Sequence, residues 1–344
     1  MWDLKRLIDE VVGPNCPYRG IEPLVADAQL IAESLGDDWI KRRGDDGQGL
    51  IYCMRIASNA ALLRALLPVA NGGSILHRVR LRLPGSEAEM RTAFLLAAVR
   101  KNARLTVEPD VQGCSSHPDF RLDEEGAAPL YIEVVCPGES TTYKAASSVL
   151  SNIMNHLSDV RPGRGIEIYL RRQPTRLEVE SIYEALLAVG QGIVKRRDVG
   201  SIGFVTLSDP SIFQAYDPDG EMISPRIFQM TGDGTRSITA RMSFTDGRIE
   251  RFLKHKAEQL PKDTCNVIVM EIGGTERNRR AWSAAIGRLL EHKYTRVSAV
   301  LLTQFFNDCS DQITRLETCV ILNLRSRILA PNWFREFPQV VDIR

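Results

Sequence analysis

Paired cysteines are missing from this chain. Its seven cysteines, at 16, 53, 114, 136, 265, 309 and 319, are odd in number, scattered and never spaced C-x-x-C, which excludes a zinc-finger or disulfide-scaffold framework. A reduced, cytoplasmic compartment is the expectation. Long apolar runs are missing too: none reaches the roughly 18 residues that a transmembrane helix needs, and Met1 to Glu10 holds no uninterrupted apolar core of a signal peptide. No membrane partner is expected. An excess of one charge is also lacking, because 44 Lys and Arg stand against 43 Asp and Glu for a formal net charge of +1. The total therefore neither demands nor excludes nucleic acid. There is no phosphate loop of the G-x-x-x-x-G-K-[ST] type, no internal repeat, and no helix-turn-helix or aromatic RNA-binding signature. Any ATP dependence would have to come from another protein.

What is present is a globular composition, 44% hydrophobic and 25% charged over 344 residues, enough for one large core or two ordinary ones. Residues 1–83 read as mostly helical, with amphipathic segments to Val12, from Pro23 to Lys41 and from Ile51 to Leu67. Pro84-Gly85-Ser86 marks a boundary, since Ser86 can cap a following helix. From there the pattern predicts a helix to about Lys101, a strand at Arg104 to Glu108, two acidic strands, a helix from Thr142 to Leu157, a strand from Gly165 to Leu170 and a helix from Leu177 to Val189. This is an αβββαβ order. The stretch 200–245 reads as a β-rich lobe, followed by a helix from Gly247 to Leu260, a strand from Asn266 to Met270, a helix from Trp282 to His292 and a strand from Val297 to Leu302. The expected division is a helical region 1–83, an α/β core 84–198, and a β-rich lobe with an α/β extension over 199–344.

The chemistry concentrates in two short stretches, His117-Pro118-Asp119-Phe120-Arg121-Leu122 and Tyr131-Ile132-Glu133-Val134-Val135. Each sets an acid in an apolar run that predicts a strand, and pairing the strands as a hairpin brings Asp119 beside Glu133. Hard oxygen ligands of this kind suit Mg²⁺ or Mn²⁺ and leave coordination positions for water and a phosphate. The main-chain carbonyl of Val134 is expected to point into the same site. Glu87 and Glu89 stand in the first turn of the preceding helix, with Glu87 in line with Met90 and Phe94. His117 stays outside the catalytic set, because a lone loop histidine is more often neither base nor ligand.

In this order and spacing, residues 86–170 resemble the core of the PD-(D/E)XK nuclease superfamily, the restriction-endonuclease-like fold. The resemblance implies a mixed central sheet, Mg²⁺- or Mn²⁺-dependent hydrolysis of phosphodiester bonds, most of all in DNA, and a setting in restriction, phage defence or repair. Asp119 and Glu133 become metal ligands, and Glu87 or Glu89 an outer ligand or water holder. The family pattern has a lysine two residues after the second acid, where this chain has Val135. Lys144, on the helix that follows in sequence, is the expected replacement, since some members move the lysine onto that helix. Phe252 to Leu260 and then Asn266 to Met270 are also similar to distal parts of uncharacterised members. Loss of the lysine gives the competing expectation: an inactive fold serving as a nucleic-acid-binding or protein-interaction scaffold.

Basic residues cluster locally. Arg161, Arg164, Arg171 and Arg172 are the expected phosphate-backbone contacts, with a second cluster from Arg277 to Arg296. The expected partner is nucleic acid, foremost DNA, with assembly as a homodimer or with a companion protein left open.

Overall fold

A computed structural model describes residues 21–40, 50–111, 117–137, 141–209, 222–223, 226–243, 248–272, 279–308 and 311–343. The helix expected up to Val12 lies outside them. In chain order the elements begin with α1 (Ile21–Leu35), α2 (Leu50–Leu66), α3 (Gly72–Arg80), α4 (Ser86–Val99), β1 (Arg104–Val107), β2 (Phe120–Asp123) and β3 (Leu130–Val135). Then come α5 (Thr141–Met154), β4 (Gly165–Leu170), α6 (Arg176–Gly190), β5 (Arg196–Val199), β6 (Gly203–Ser208), β7 (Met222–Ile223), β8 (Arg226–Thr231) and β9 (Gly234–Ser243). The chain continues through α7 (Ile249–Gln259), β10 (Cys265–Glu271), the helix Arg279–His292, β11 (Ala299–Asp308), β12 (Ile313–Leu322) and β13 (Val340–Ile343). The architecture is mixed α/β. No helix among the described residues is long and apolar enough to cross a membrane.

The chain divides into two units, and not at 83 and 198. One takes Met1–Pro137, Ile249–Gly274 and Ser283–Arg344; the other takes Gly138–Arg248 and Thr275–Trp282. The first is built on a seven-stranded sheet in the order β1-β2-β3-β10-β11-β12-β13. β3, β10 and β11 run parallel, and the flanking pairs are antiparallel. The reason is legible in β10: all seven of its residues are buried, the near-continuous apolar run of a strand covered on both faces. One face, carrying Leu105, Val107, Phe120, Ile132, Val134, Val267 and Val269, joins a single hydrophobic cluster with α1 to α4. α7 packs against β3 and β10 and buries Ile249, Leu253 and Ala257 at helical spacing.

One expectation needs correction. The helix and strand that follow β3 in sequence do not complete its sheet: β4 pairs with β6 and β9 in a separate six-stranded sheet of the second unit. The neighbour of β3 is β10, aligned from Leu130 with Cys265 to Val135 with Met270. The physical reason is that β10, buried at every residue and apolar from Val267 to Met270, suits the buried centre of a sheet, whereas β4 alternates buried and half-buried residues as a strand covered mainly on one face does.

In the second unit, β4 and β6 pack so closely that a Cβ on Gly203 would sit 1.8 Å from the Tyr169 carbonyl oxygen. Gly203→Ala is therefore expected to cost roughly 1–3 kcal/mol or more by overpacking. Amide hydrogen exchange along β4 and β6 should accelerate; unchanged protection there would show that the strands part without cost.

Candidate active site

The β2–β3 hairpin aligns Phe120 with Ile132 in antiparallel register, which sets Asp119, one residue before the strand, across from Glu133. The main-chain N–H of Val134 donates to Asp119 Oδ2 at 2.6 Å and pins that carboxylate to the edge of β3. Val134 thus enters the site through its N–H. Glu133 is only 1% exposed, flanked along the strand by Tyr131, Ile132 and Val134, all buried. A carboxylate so placed needs a partner.

That partner is Lys256 of α7. Its Nζ donates to Glu133 Oε2 at 2.6 Å and lies 3.5 Å from Asp119 Oδ2. Both acids therefore meet one ammonium on one side of the sheet. Lys256 was not among the expected site residues, yet the sequence carries a signal for it. Ile249, Leu253, Lys256 and Leu260 follow the i, i+4, i+7, i+11 spacing of a buried helical stripe, and a lysine in such a stripe requires a buried acid. The lysine side chain is 16% exposed.

The electrostatics follow from burial. Loss of solvent, then repulsion from Asp119 and a hydrogen bond shared between the two carboxyl groups, push Glu133 up to about 8 against the opposing pull of Lys256. Burial works against the Lys256 ammonium, but Asp119 and Glu133 outweigh it and hold the lysine above its ordinary range. The second oxygen of Glu133, Oε1, is buried and has no hydrogen-bond partner among the described residues.

Glu89 borders this group. Burial raises its pKa, Arg78 opposes that by hydrogen bonding, and the carboxyl feels both Asp119 and Lys256. Arg78 Nη2 bonds Glu89 Oε2 at 2.5 Å, and the same guanidinium pairs with Glu108. Glu87 belongs to another cluster: Arg91 reaches it at 3.4 Å but makes a bidentate bond to Glu271, at 2.7 and 2.6 Å. The structure brings Asp119 and Glu133 together at Lys256, sets Glu89 close enough to feel their charges and leaves Glu87 with Arg91.

The other expected residues fall elsewhere. Lys144 lies in α5 of the second unit, with its side chain outside the described residues. In that unit Arg172 forks onto Glu178 at 2.7 and 3.1 Å, and Arg161 donates to Gln191 at 3.0 Å. Arg164 lies over Gly192, and Arg171 is exposed. His117 is exposed, with Nδ1 3.4 Å from the Pro109 carbonyl.

Among the described residues no group of three or more His, Cys, Asp or Glu side chains is arranged to hold a metal ion. Comparison with protein-family models, with curated proteins and with solved structures gives no match. The site therefore has to be read from its own chemistry. A buried carboxylate oxygen without a partner among the described residues and a second carboxylate across the hairpin are hard oxygen donors of the kind that a divalent cation takes together with water, and the ammonium touching both supplies positive charge beside them but no ligand.

Proposed function

We propose that the chain is a metal-dependent nuclease of the PD-(D/E)XK kind, with Lys256 in the role of the displaced motif lysine. The observation that carries the reading is the contact of one lysine with both acids, 2.6 Å from Glu133 and 3.5 Å from Asp119. Fold order supports it. With the stretch Gly138–Arg248 set aside as an insertion, α4, β1, β2, β3, α7 and β10 follow one another as αβββαβ, with β3 and β10 adjacent and parallel. Under this reading the lysine does occupy the helix that follows the third strand, but that helix is α7.

Asp119 and Glu133 would hold Mg²⁺ or Mn²⁺. A divalent ion bound there supplies the Lewis acidity that lowers the pKa of a water and polarises a phosphoryl oxygen. The chain's own groups do the rest. The Val134 N–H fixes the Asp119 carboxylate, and the neighbouring apolar side chains keep Glu133 from bulk water. Lys256, tethered through Glu133, presents a positive charge where negative charge builds on the phosphate during attack. The substrate is phosphodiester, with DNA the first to test.

The test is incubation with supercoiled plasmid and single-stranded DNA in Mg²⁺ or Mn²⁺, alongside Asp119→Asn and Glu133→Gln. Both variants remove a negative charge while keeping shape, and cutting should fall by at least about a hundredfold in each. DNA left intact by the unaltered protein in both metals would refute hydrolysis. Salt-sensitive binding without cutting would instead assign the fold to a scaffold.

A further inference from the structure

Arg78, on α3, stands outside the set of acids and lysine, yet it touches two of the segments that build the site. One arm of its guanidinium bonds Glu89 of α4 at 2.5 Å, and the other pairs with Glu108 at the end of β1. Glu108 is itself unusual. Its φ of +47° places a non-glycine residue in the left-handed region, a conformation that costs of order 1–3 kcal/mol unless its surroundings hold it. From that turn the Glu108 N–H donates to the Asp119 carbonyl at 3.0 Å. The strained turn is thus bonded directly to the residue that carries the first acid.

The contacts form one connected path from Arg78 to Glu108, Asp119 and the Val134 edge of β3, with a branch to Glu89. Arg78 is half-buried, and its arm toward Glu89 is the more enclosed of the two, since the Glu89 side chain is 15% exposed against 41% for Glu108. Charge gives a second reason for its presence. Glu89, Glu108, Asp119 and Glu133, when ionised, set four negative charges against the two positive ones of Arg78 and Lys256. The remaining formal charge of −2 is what one divalent cation neutralises.

We propose that Arg78 is the positioning residue of the metal site: its forked bridge between Glu89 and Glu108 fixes the turn that holds Asp119 opposite Glu133. This rests on the nuclease reading only in taking the two acids as metal ligands. The inference separates from a simple charge effect by its sign. Removing a nearby positive charge strengthens the attraction of the acids for a cation. Removing a positioning group weakens metal binding, typically by 10- to 100-fold. Lysine at this position keeps the charge but replaces two rigid arms with one ammonium, so it does not reproduce both bonds in the geometry that the fork sets.

The experiment is titration of the full-length protein with Mn²⁺, following free Mn²⁺ by electron paramagnetic resonance in the absence of DNA, for the unaltered chain, Arg78→Ala, Arg78→Lys and Glu108→Gln. Circular dichroism checks that each variant is folded. Arg78→Ala is expected to weaken Mn²⁺ binding by about 10- to 100-fold, Glu108→Gln by less, and Arg78→Lys to recover only part of the loss. Should Arg78→Ala fail to fold, Glu108→Gln and Arg78→Lys carry the same comparison. Unchanged or tighter binding in the variants overturns the proposal, as does full recovery with lysine or a protein that binds no Mn²⁺. Binding that responds to Arg78 in a protein that cuts no DNA would leave this inference standing and remove hydrolysis instead.

Discussion

Lys256→Met is expected to reduce DNA cleavage by on the order of 10²–10³-fold, the usual loss when one preorganised charge-stabilising donor is taken from a reaction centre. The effect should fall on kcat, because the two acids that would hold the metal remain. Methionine keeps an unbranched apolar stem in the stripe that holds Leu253 and Leu260 and deletes only the ammonium. The electrostatic consequence has a definite sign. Lys256 pulls the Glu133 carboxyl down against burial and against Asp119, so without it Glu133 holds its proton to higher pH. Any residual cleavage in the variant should require more alkaline solution than the unaltered enzyme. Stability should respond with the same pH sense. Leaving the buried Glu133 carboxylate without its cation costs about 3–5 kcal/mol when it is ionised, and much less at acid pH, where Glu133 is protonated in either protein. Thermal melts of the two proteins should therefore converge as the pH falls. An unchanged cleavage rate in Lys256→Met would remove the lysine from the mechanism and with it the strongest support for the nuclease reading.

The two acids were legible in the sequence and their lysine was not, and the difference is one of range. Asp119 and Glu133 stand in neighbouring apolar runs joined by a short turn, so local pattern alone specifies the hairpin that aligns them. Lys256 arrives from a helix 123 residues further along the chain than Glu133, after an intervening unit with its own core. Nothing local distinguishes α5 and β4, which belong to that unit, from α7 and β10, which complete the first sheet: both pairs are an amphipathic helix followed by an apolar strand. The better guide was intensity of burial. β10 carries an unbroken apolar run from Val267 to Met270 and is buried along its whole length, as a central parallel strand must be, and α7 carries a lysine within its buried stripe. The C-terminal strands β12 and β13 escaped for a related reason, since their half-buried pattern gives only weak apolar alternation. Glu87 and Glu89 show the limit from the other side. First-turn acids are favoured by the helix dipole whatever they do, and only the structure separates the one near Asp119 from the one facing Arg91.

Breaking the Arg91–Glu271 pair is expected to destabilise the first unit as much as removing the Lys256 ammonium does. The side chains are 11% and 8% exposed, the bond is bidentate, and the Arg91 guanidinium also lies 4.7 Å from the centre of the Phe305 ring. Burial disfavours the charged arginine, yet Glu271 more than compensates and raises its pKa, so the guanidinium depends on this carboxylate. Arg91→Met or Glu271→Met alone should cost about 3–5 kcal/mol, because each leaves an uncompensated buried charge. The double variant should recover most of that loss, since two apolar side chains of similar length can replace a buried ion pair at little net cost. Urea denaturation of the three variants forms the cycle, and losses that simply add would show that the pair is not coupled. The same proteins also sort structure from chemistry. Arg91 joins α4, which carries Glu89, to β10, the neighbour of the strand carrying Glu133, but it touches neither Asp119 nor Lys256. The double variant should therefore keep its metal affinity and cleavage rate below its melting temperature, whereas Lys256→Met should lose cleavage at every temperature at which it is folded. A double variant that is stable yet inactive would extend the site along α4 to Glu87 and Arg91.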